Sequence, residues 1–332
     1  MSFTPWPFLD MVIWVVIVLG FFIVGALVNT LGERKVAGFI QDRLGPMEVG
    51  RFHGILQPVA DALKLLQKED IVPARANPRL HIIAPALVFA GAVASMAVIP
   101  WADGAIPADL NIGIFYFLAI SSLGVLGILM AGWASSNKWS LFGSMRGAAQ
   151  IISYEIPVSI AALSALIFAQ SLSTIDIVQS QAGGILHWTI FRGFPFNFIG
   201  AGIFLAGSIA ESGRIPFDLP ESESELVAGY VTEYSGIRFA MFFLAEYGNI
   251  FVVGLIFSVV YLGGWHAPFG FLEFIPGVCW TVLKMLTLGI CILALRWSLP
   301  RLRVDQLMTL SWKYLTPLAL LCLLGVSIMV LF

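Results

Sequence analysis

Charge is scarce in this chain. Only 11% of its 332 residues are Asp, Glu, Lys or Arg, while 59% are hydrophobic, and the mean hydropathy is +0.91. Soluble domains carry about 25% charged and about 45–50% apolar residues. A soluble fold with this composition would expose large apolar patches. Disorder is excluded too, because it needs low hydrophobicity and high net charge. The net charge is −2, so nucleic acid is not an expected partner. Cysteine is sparse: Cys279, Cys291 and Cys322 lie far apart in apolar segments and form no CxxC pair. That argues against a disulfide framework and against a metal or iron–sulfur site in this chain. Internal repeats are lacking, so the inverted-repeat pattern of many secondary transporters is missing. What remains is an all-α polytopic membrane protein, read as one integral membrane domain over residues 1–332.

Long apolar runs are plentiful. About 20 mostly apolar residues cross the roughly 30 Å hydrocarbon layer. Eight segments qualify: 10–31, 80–100, 110–132, 147–170, 190–210, 238–262, 276–296 and 314–332. The first is expected to be a span rather than a cleaved signal, since it is long, has no basic leader and has no small-residue cleavage site. Of the 18 Lys and Arg residues, 16 fall in the odd-numbered connections. The positive-inside rule therefore puts those connections in the cytoplasm, or its organellar equivalent, and both termini on the other side. A bacterial inner membrane with periplasmic termini is the expected setting.

Two inner connections hold most of the remaining chemistry. In the first, 33–79, residues 55–68 place Ile55, Leu56, Val59, Leu63 and Leu66 at helical spacing opposite Gln57, Asp61, Lys64 and Lys68. This predicts an amphipathic helix at the bilayer interface. It is either an anchor or a docking face or gate for a lipid-borne ligand, and Asp61 is in reach of Lys64 three residues on. The second connection, 211–237, is acidic. From 211 to 238 there are six acids and two bases. Glu221, Glu223 and Glu225 alternate, so mutual repulsion favours a shared proton at neutral pH. The run is either a solvated acidic loop or the wall of a cavity.

Ionisable groups inside spans cost about 2.5–3.5 kcal/mol each on the insertion scale and are functional candidates by default. Glu155 lies in the fourth span, where Pro157 frees a backbone carbonyl and can kink the helix toward a cavity. Glu246 is about 12 Å into the sixth span at 1.5 Å per residue. Glu211 closes the fifth, and Lys284 stands in the seventh. Two readings fit: a proton relay of buried carboxylates, or internal neutralisation in which Lys284 or Arg238 pairs with a Glu.

Several motifs bear a family resemblance over nearly the whole chain. They are Glu33-Arg34-Lys35, Gln41-x-Arg43-x-Gly45-Pro46 and Gln57-Pro58-x-Ala60-Asp61-Ala62-x-Lys64 near the start. Arg146-x-x-x-Gln150-x-x-Ser153-Tyr154-Glu155 follows. Glu211-x-x-Arg214-x-Pro216-Phe217-Asp218-Leu219, Glu221-x-Glu223-Ser224-Glu225-Leu226, Gly229 and Glu233-Tyr234 fill the acidic connection. Pro300-Arg301-x-Arg303-x-Asp305-Gln306-Leu307-Met308 and Trp312-Lys313 complete the set. Together they resemble the H-subunit family of respiratory complex I, the proton-translocating NADH:quinone oxidoreductase.

The resemblance implies a subunit that is inactive alone and binds no cofactor itself. Quinone is its substrate, while flavin and iron–sulfur clusters belong to partners. The implied partners are peripheral-arm iron–sulfur and quinone-site subunits, small and antiporter-like membrane-arm subunits, and the lipid bilayer. Quinone is expected to enter between the first span, the sixth span and the amphipathic helix. Arg34, Lys35, Arg43, Asp61, Lys64, Phe217 and Arg238 are the expected chamber and rim. Glu155, Glu211, Glu221, Glu223, Glu225, Glu233 and Glu246 are the expected coupling carboxylates, with Tyr154, Tyr230 and Tyr234 as bridges. A membrane anchor of a nickel–iron hydrogenase or formate hydrogenlyase, or a stand-alone transporter or channel, would share parts of this pattern.

Overall fold

The apolar runs fold as helices, because only a helix satisfies every backbone group inside its own segment in lipid. The computed structural model describes residues 7–50, 53–220 and 222–331. Glu221 lies outside the described residues, as do Arg51 and the side chain of Glu223. The helices are α1 Pro7–Ile40, α2 Gln57–Gln67, α3 Pro78–Ser95, α4 Gly113–Ser121, α5 Leu123–Ala134, α6 Lys138–Leu166 and α7 Thr174–Gln179. They continue with α8 Phe196–Glu211, α9 Glu223–Leu226, α10 Gly236–Tyr261, α11 Gly277–Ser298, α12 Val304–Thr309 and α13 Thr316–Leu331. There is no strand among the described residues, only an isolated bridge between Ala102 and Ala105.

Seven of these helical stretches are long and apolar enough to cross a bilayer, and α8 is a shorter apolar eighth. The chain is thus an all-α polytopic membrane protein. α8 has 16 residues, about 24 Å of helix. α1 runs on to Ile40, so Glu33, Arg34 and Lys35 are helical. The third span is two helices that meet at Ser122.

Local chemistry explains the boundaries. Asn77 starts α3 by accepting from the amides of Arg79 and Leu80, with Pro78 in the first turn. Asn137 caps α6 in the same way through Trp139. Pro157 sits inside α6, and the helix continues through it. A proline there leaves the carbonyl four residues earlier without its amide. That carbonyl, Ser153, is taken by the Ser311 hydroxyl at 2.6 Å, and Trp312 Nε1 donates to Ser153 Oγ at 3.2 Å. The freed group therefore pins the widened turn Leu310–Leu315 between α12 and α13.

α10 is the hub. In its most apolar window 78% of residues are buried, against 22% for α1. It packs against α1, α3 and α11, while α6 packs against α5, α8 and α13. Close approach needs glycine: a Cβ on Gly248 of α10 would strike the Phe22 ring of α1. Gly248→Val is therefore expected to overpack the α1–α10 seam and destabilise by about 1–3 kcal/mol. A lowered thermal midpoint of the purified assembly would check this, and an unchanged one would refute it.

Candidate functional site

Four charges meet at the inner end of the bundle, Glu33 and Arg214 buried and Glu246 and Arg296 partly buried. Arg214, just past α8, is 2% exposed and reaches two acids: Glu33 of α1 at 3.1 Å and Glu246 of α10 at 3.0 Å. Arg296, near the end of α11, reaches Glu33 at 2.6 Å. The Arg214 guanidinium also lies 3.9 Å from the centroid of the Tyr247 ring. Two acids and two bases cancel. An isolated buried ion is penalised by several kcal/mol, and pairing with extra hydrogen bonds offsets that. The neutralisation expected from sequence exists, but through Arg214 and Arg296. Lys284 and Arg238, the expected counter-ions, form no ion pair with a Glu among the described residues.

Arg214, Glu246 and Arg296 of this network line a chamber of about 760 Å³ that also takes in Asp218, Arg301, Phe239, Phe242 and Phe243. A second cavity of about 270 Å³ opens between α1, α2 and α10. Its wall is apolar, with Ile23, Leu27, Leu65, Phe89 and Leu244, and includes Thr30 and Asp61. Phe243 belongs to both walls. From the chamber a third space of about 50 Å³ continues inward, bounded by Glu246, Asn249, Gln150 and Glu211. A fourth of about 90 Å³ follows, bounded by Glu211, Asn249 and Glu155 with Ser95, Ser121, Ser122, Ser208 and Ser212. A water needs only about 10–15 Å³ on this measure. Glu246, Glu211 and Glu155 therefore line successive neighbouring spaces, each large enough to hold water.

The other sequence candidates sit elsewhere. Glu225 is exposed and pairs with Arg146 at 2.5 Å and Arg301 at 3.2 Å. The Arg146 hydrogen bond, then the Arg301 charge, hold its carboxyl below the usual range. Glu225 is thus ionised at neutral pH, not the holder of a shared proton. Its ion pairs are fully formed above the ordinary carboxylate value and are lost as pH falls through the lower folded one. Glu233 accepts from Asn137 Nδ2 at 2.5 Å. Arg238 pairs with Asp70 at 2.9 Å and contacts His81 Nδ1 at 3.1 Å, and His81 stacks on Tyr234 at 4.0 Å. Burial raises the Tyr234 hydroxyl above its ordinary value.

On α2, Asp61 pairs with Arg34 at 2.6 Å rather than with Lys64, which is exposed. Lys35 donates to the Pro46 carbonyl at 2.6 Å, and Arg43 to Gln41. Phe217 is buried against Tyr154, whose hydroxyl donates to the Leu307 carbonyl. Of the three tyrosines, only Tyr230 borders the carboxylate spaces. The apolar stripe Ile55, Leu56, Val59, Leu63 and Leu66 is largely exposed, each at 42–58%, with Ile55 and Leu56 just before the start of α2 at Gln57 and Leu66 also edging the apolar cavity.

Sequence reasoning missed the pairing of Glu33, Arg214 and Arg296, and also Asn249. The available signals were Glu33 and Arg214 within the motifs and Asn249 three residues after Glu246. Removing the shared arginine should expose the cost of the network. Arg214→Met is expected to destabilise by about 3–5 kcal/mol, since it leaves Glu246 without its partner. Pairing it with Glu246→Gln should restore part of that. Thermal melting of the two purified variants decides, and equal stability of wild type and Arg214→Met would refute the network's role.

Residues 13–327 match the NADH dehydrogenase family. The chain is 51% identical over 312 residues to the H subunit of the NADH-quinone oxidoreductase of Chlorobaculum tepidum, covering 90% of this chain and 86% of that protein. It is 50% identical over 312 residues to the protein of the same name from Chlorobaculum parvum, with the same coverage of 90% and 86%. The corresponding protein of Chlorobium luteolum is 50% identical over 300 residues, covering 87% and 80%.

Proposed function

The chain belongs to the NADH dehydrogenase family, as a membrane subunit of an NADH–quinone oxidoreductase, and from that premise we propose that it forms the membrane wall of the quinone chamber and couples quinone reduction to proton movement. The continuity of the four cavities through shared side chains carries this reading. Phe243 joins the apolar cavity to the charged chamber, Glu246 joins the chamber to the inner spaces, and Glu211 joins those to Glu155.

The chemistry of each compartment suits one step. Quinone leaves the bilayer past the exposed apolar face of α2, and its tail lies among Ile23, Leu27, Leu65 and Leu244. Its headgroup stands in the chamber, where two electrons from a partner's iron–sulfur cluster reduce it and two protons complete the quinol. Before those protons arrive, the reduced headgroup is anionic and draws Arg214 and Arg296. Glu246 then loses part of its counter-charge and takes a proton from water in the chamber, separate from the two that complete the quinol. Water in the inner spaces hands that proton to Glu211 and Glu155, and on to antiporter-like neighbours. Flavin sits in the peripheral arm. The 16 basic residues on one side of the spans support a cytoplasmic position for that arm, with both termini periplasmic in a bacterial inner membrane.

Two substitutions separate the tail cavity from the coupling. Ala240→Trp fills the apolar cavity. It is expected to raise KM for a long-tailed quinone about tenfold, equivalent to about 1.4 kcal/mol, while NADH oxidation by a hydrophilic acceptor is unchanged. An unaltered KM would show that the tail lies elsewhere. Glu211→Gln cannot carry the proton. In reconstituted vesicles, protons moved per NADH should fall about tenfold or more with the complex fully assembled. Wild-type pumping in that variant would remove Glu211 from the path.

A further inference from the structure

Lys284 is an ionisable group that the chamber and carboxylates do not use. It stands in α11 seven residues after Gly277, at the end of the bundle away from the acidic connection. Its Nζ donates to the carbonyls of Leu262, Gly264 and His266 at 2.7, 2.7 and 2.8 Å. It also lies 4.3 Å from the centroid of the Trp188 ring. An ammonium has three N–H donors, and three acceptors take all of them. A neutral amine has two donors and would leave a carbonyl unmet. Three carbonyl acceptors favour the protonated form here, and Nζ has no ion pair among the described residues.

The receiving turn is shaped for it. Gly263 and Gly264 have φ of +71° and +47°, a left-handed pair that glycine adopts without strain. A Cβ on Gly263 would strike Trp188, and one on Gly264 would strike Val178. Gln181 holds the same turn by accepting from the Gly263 amide at 3.0 Å, while its Nε2 donates to the Val259 carbonyl at 2.9 Å. The neighbouring His266 has its affinity for a proton lowered, chiefly by burial and next by Lys284, with a backbone hydrogen bond to Val178, then Asp103 and Glu273, acting the other way. It therefore adds no second charge at neutral pH. Between this cluster and the carboxylates, α10 presents Leu255, Ile256, Val259 and Val260, each at most 1% exposed. Gly254 lets the same stretch lie on the backbone of Met285, where a Cβ would be 3.0 Å from the carbonyl oxygen.

We propose that Lys284 seals the far end of this subunit: its fixed ammonium, locked by the 262–266 turn and Trp188 above an apolar plug, bars protons and small cations from crossing the chain end to end. In a low-dielectric interior a fixed positive charge raises the energy of any cation approaching it. Charge admitted at the chamber end then stays on the carboxylates. The seal goes beyond the quinone reading and does not depend on it, because leakage is measurable with no turnover.

The test uses the whole complex in sealed vesicles containing a pH-sensitive dye. An outside acid pulse reads passive proton entry, and uncoupled NADH–quinone activity is read in parallel. Lys284→Met, similar in length but uncharged, is expected to raise passive entry severalfold while leaving uncoupled activity near wild type. Lys284→Arg keeps the charge and should stay tighter than the Met variant. An assembled Lys284→Met complex with wild-type tightness overturns the proposal, as does an Arg variant that leaks equally. If Lys284→Met does not assemble, Trp188→Leu serves instead, since it strips the ring and leaves the carbonyls. Leakage there supports the seal, and a tight Trp188→Leu complex reduces Lys284 to a structural clamp.

Discussion

A charge inside a membrane protein must find its counter-charge within the protein. The pairing of Glu33, Arg214, Glu246 and Arg296 answers that demand, and much of the inner half of the bundle is arranged around it. The four residues come from α1, the connection after α8, α10 and α11. Each ion pair is therefore also a tertiary contact between segments distant in sequence. The network is neutral as a whole but open on one side to the 760 Å³ chamber. Neutrality lets it sit in a low dielectric, and openness lets a new charge in the chamber disturb it.

The opposite end of the bundle solves the same problem differently. Lys284 has backbone carbonyls where Arg214 has carboxylates. Carboxylates can change protonation and so pass charge along, whereas carbonyls cannot. One end of the bundle holds its charge with partners that titrate and the other with carbonyls that do not. Between them, Glu211 and Glu155 share a cavity edged by serines and Asn249, polar enough to keep water and too small for a quinone headgroup with its tail.

The acidic connection is fastened at several points. Glu225 ties it to Arg146 of α6 and to Arg301, and Glu233 ties it to Asn137, the residue that caps α6. Its far end is joined to the segment after α2: the Ser235 hydroxyl donates to the Glu69 carbonyl at 3.0 Å and accepts from the Ile71 amide at 3.1 Å. Arg238 adds the contact with Asp70. The amphipathic helix at the mouth of the apolar cavity and the acidic connection above the chamber are thus mechanically continuous. Charges that read as a chemical cluster in sequence are, for Glu225 and Glu233, the fastenings of that loop.

Composition and periodicity alone determined that the chain is an all-helical membrane protein with eight apolar spans and an amphipathic helix. Those properties are local: a 20-residue apolar run has no other stable state in lipid. The motifs were also enough to suggest the family, and Glu155, Glu211 and Glu246 stood out because ionisable groups within or at the ends of apolar runs are rare. Which charge meets which was decided only by the tertiary structure. Arg214 rather than Lys284 or Arg238 neutralises Glu246, and Arg34 rather than Lys64 meets Asp61, because the crossing of helices brings those side chains within 3.0 Å and 2.6 Å. Helical spacing within one segment cannot reveal a partner that sits on another. The exposure of the α2 apolar stripe and the link from the apolar cavity through Phe243 to Glu246 have the same origin, since a cavity belongs to several helices at once and to no stretch of sequence.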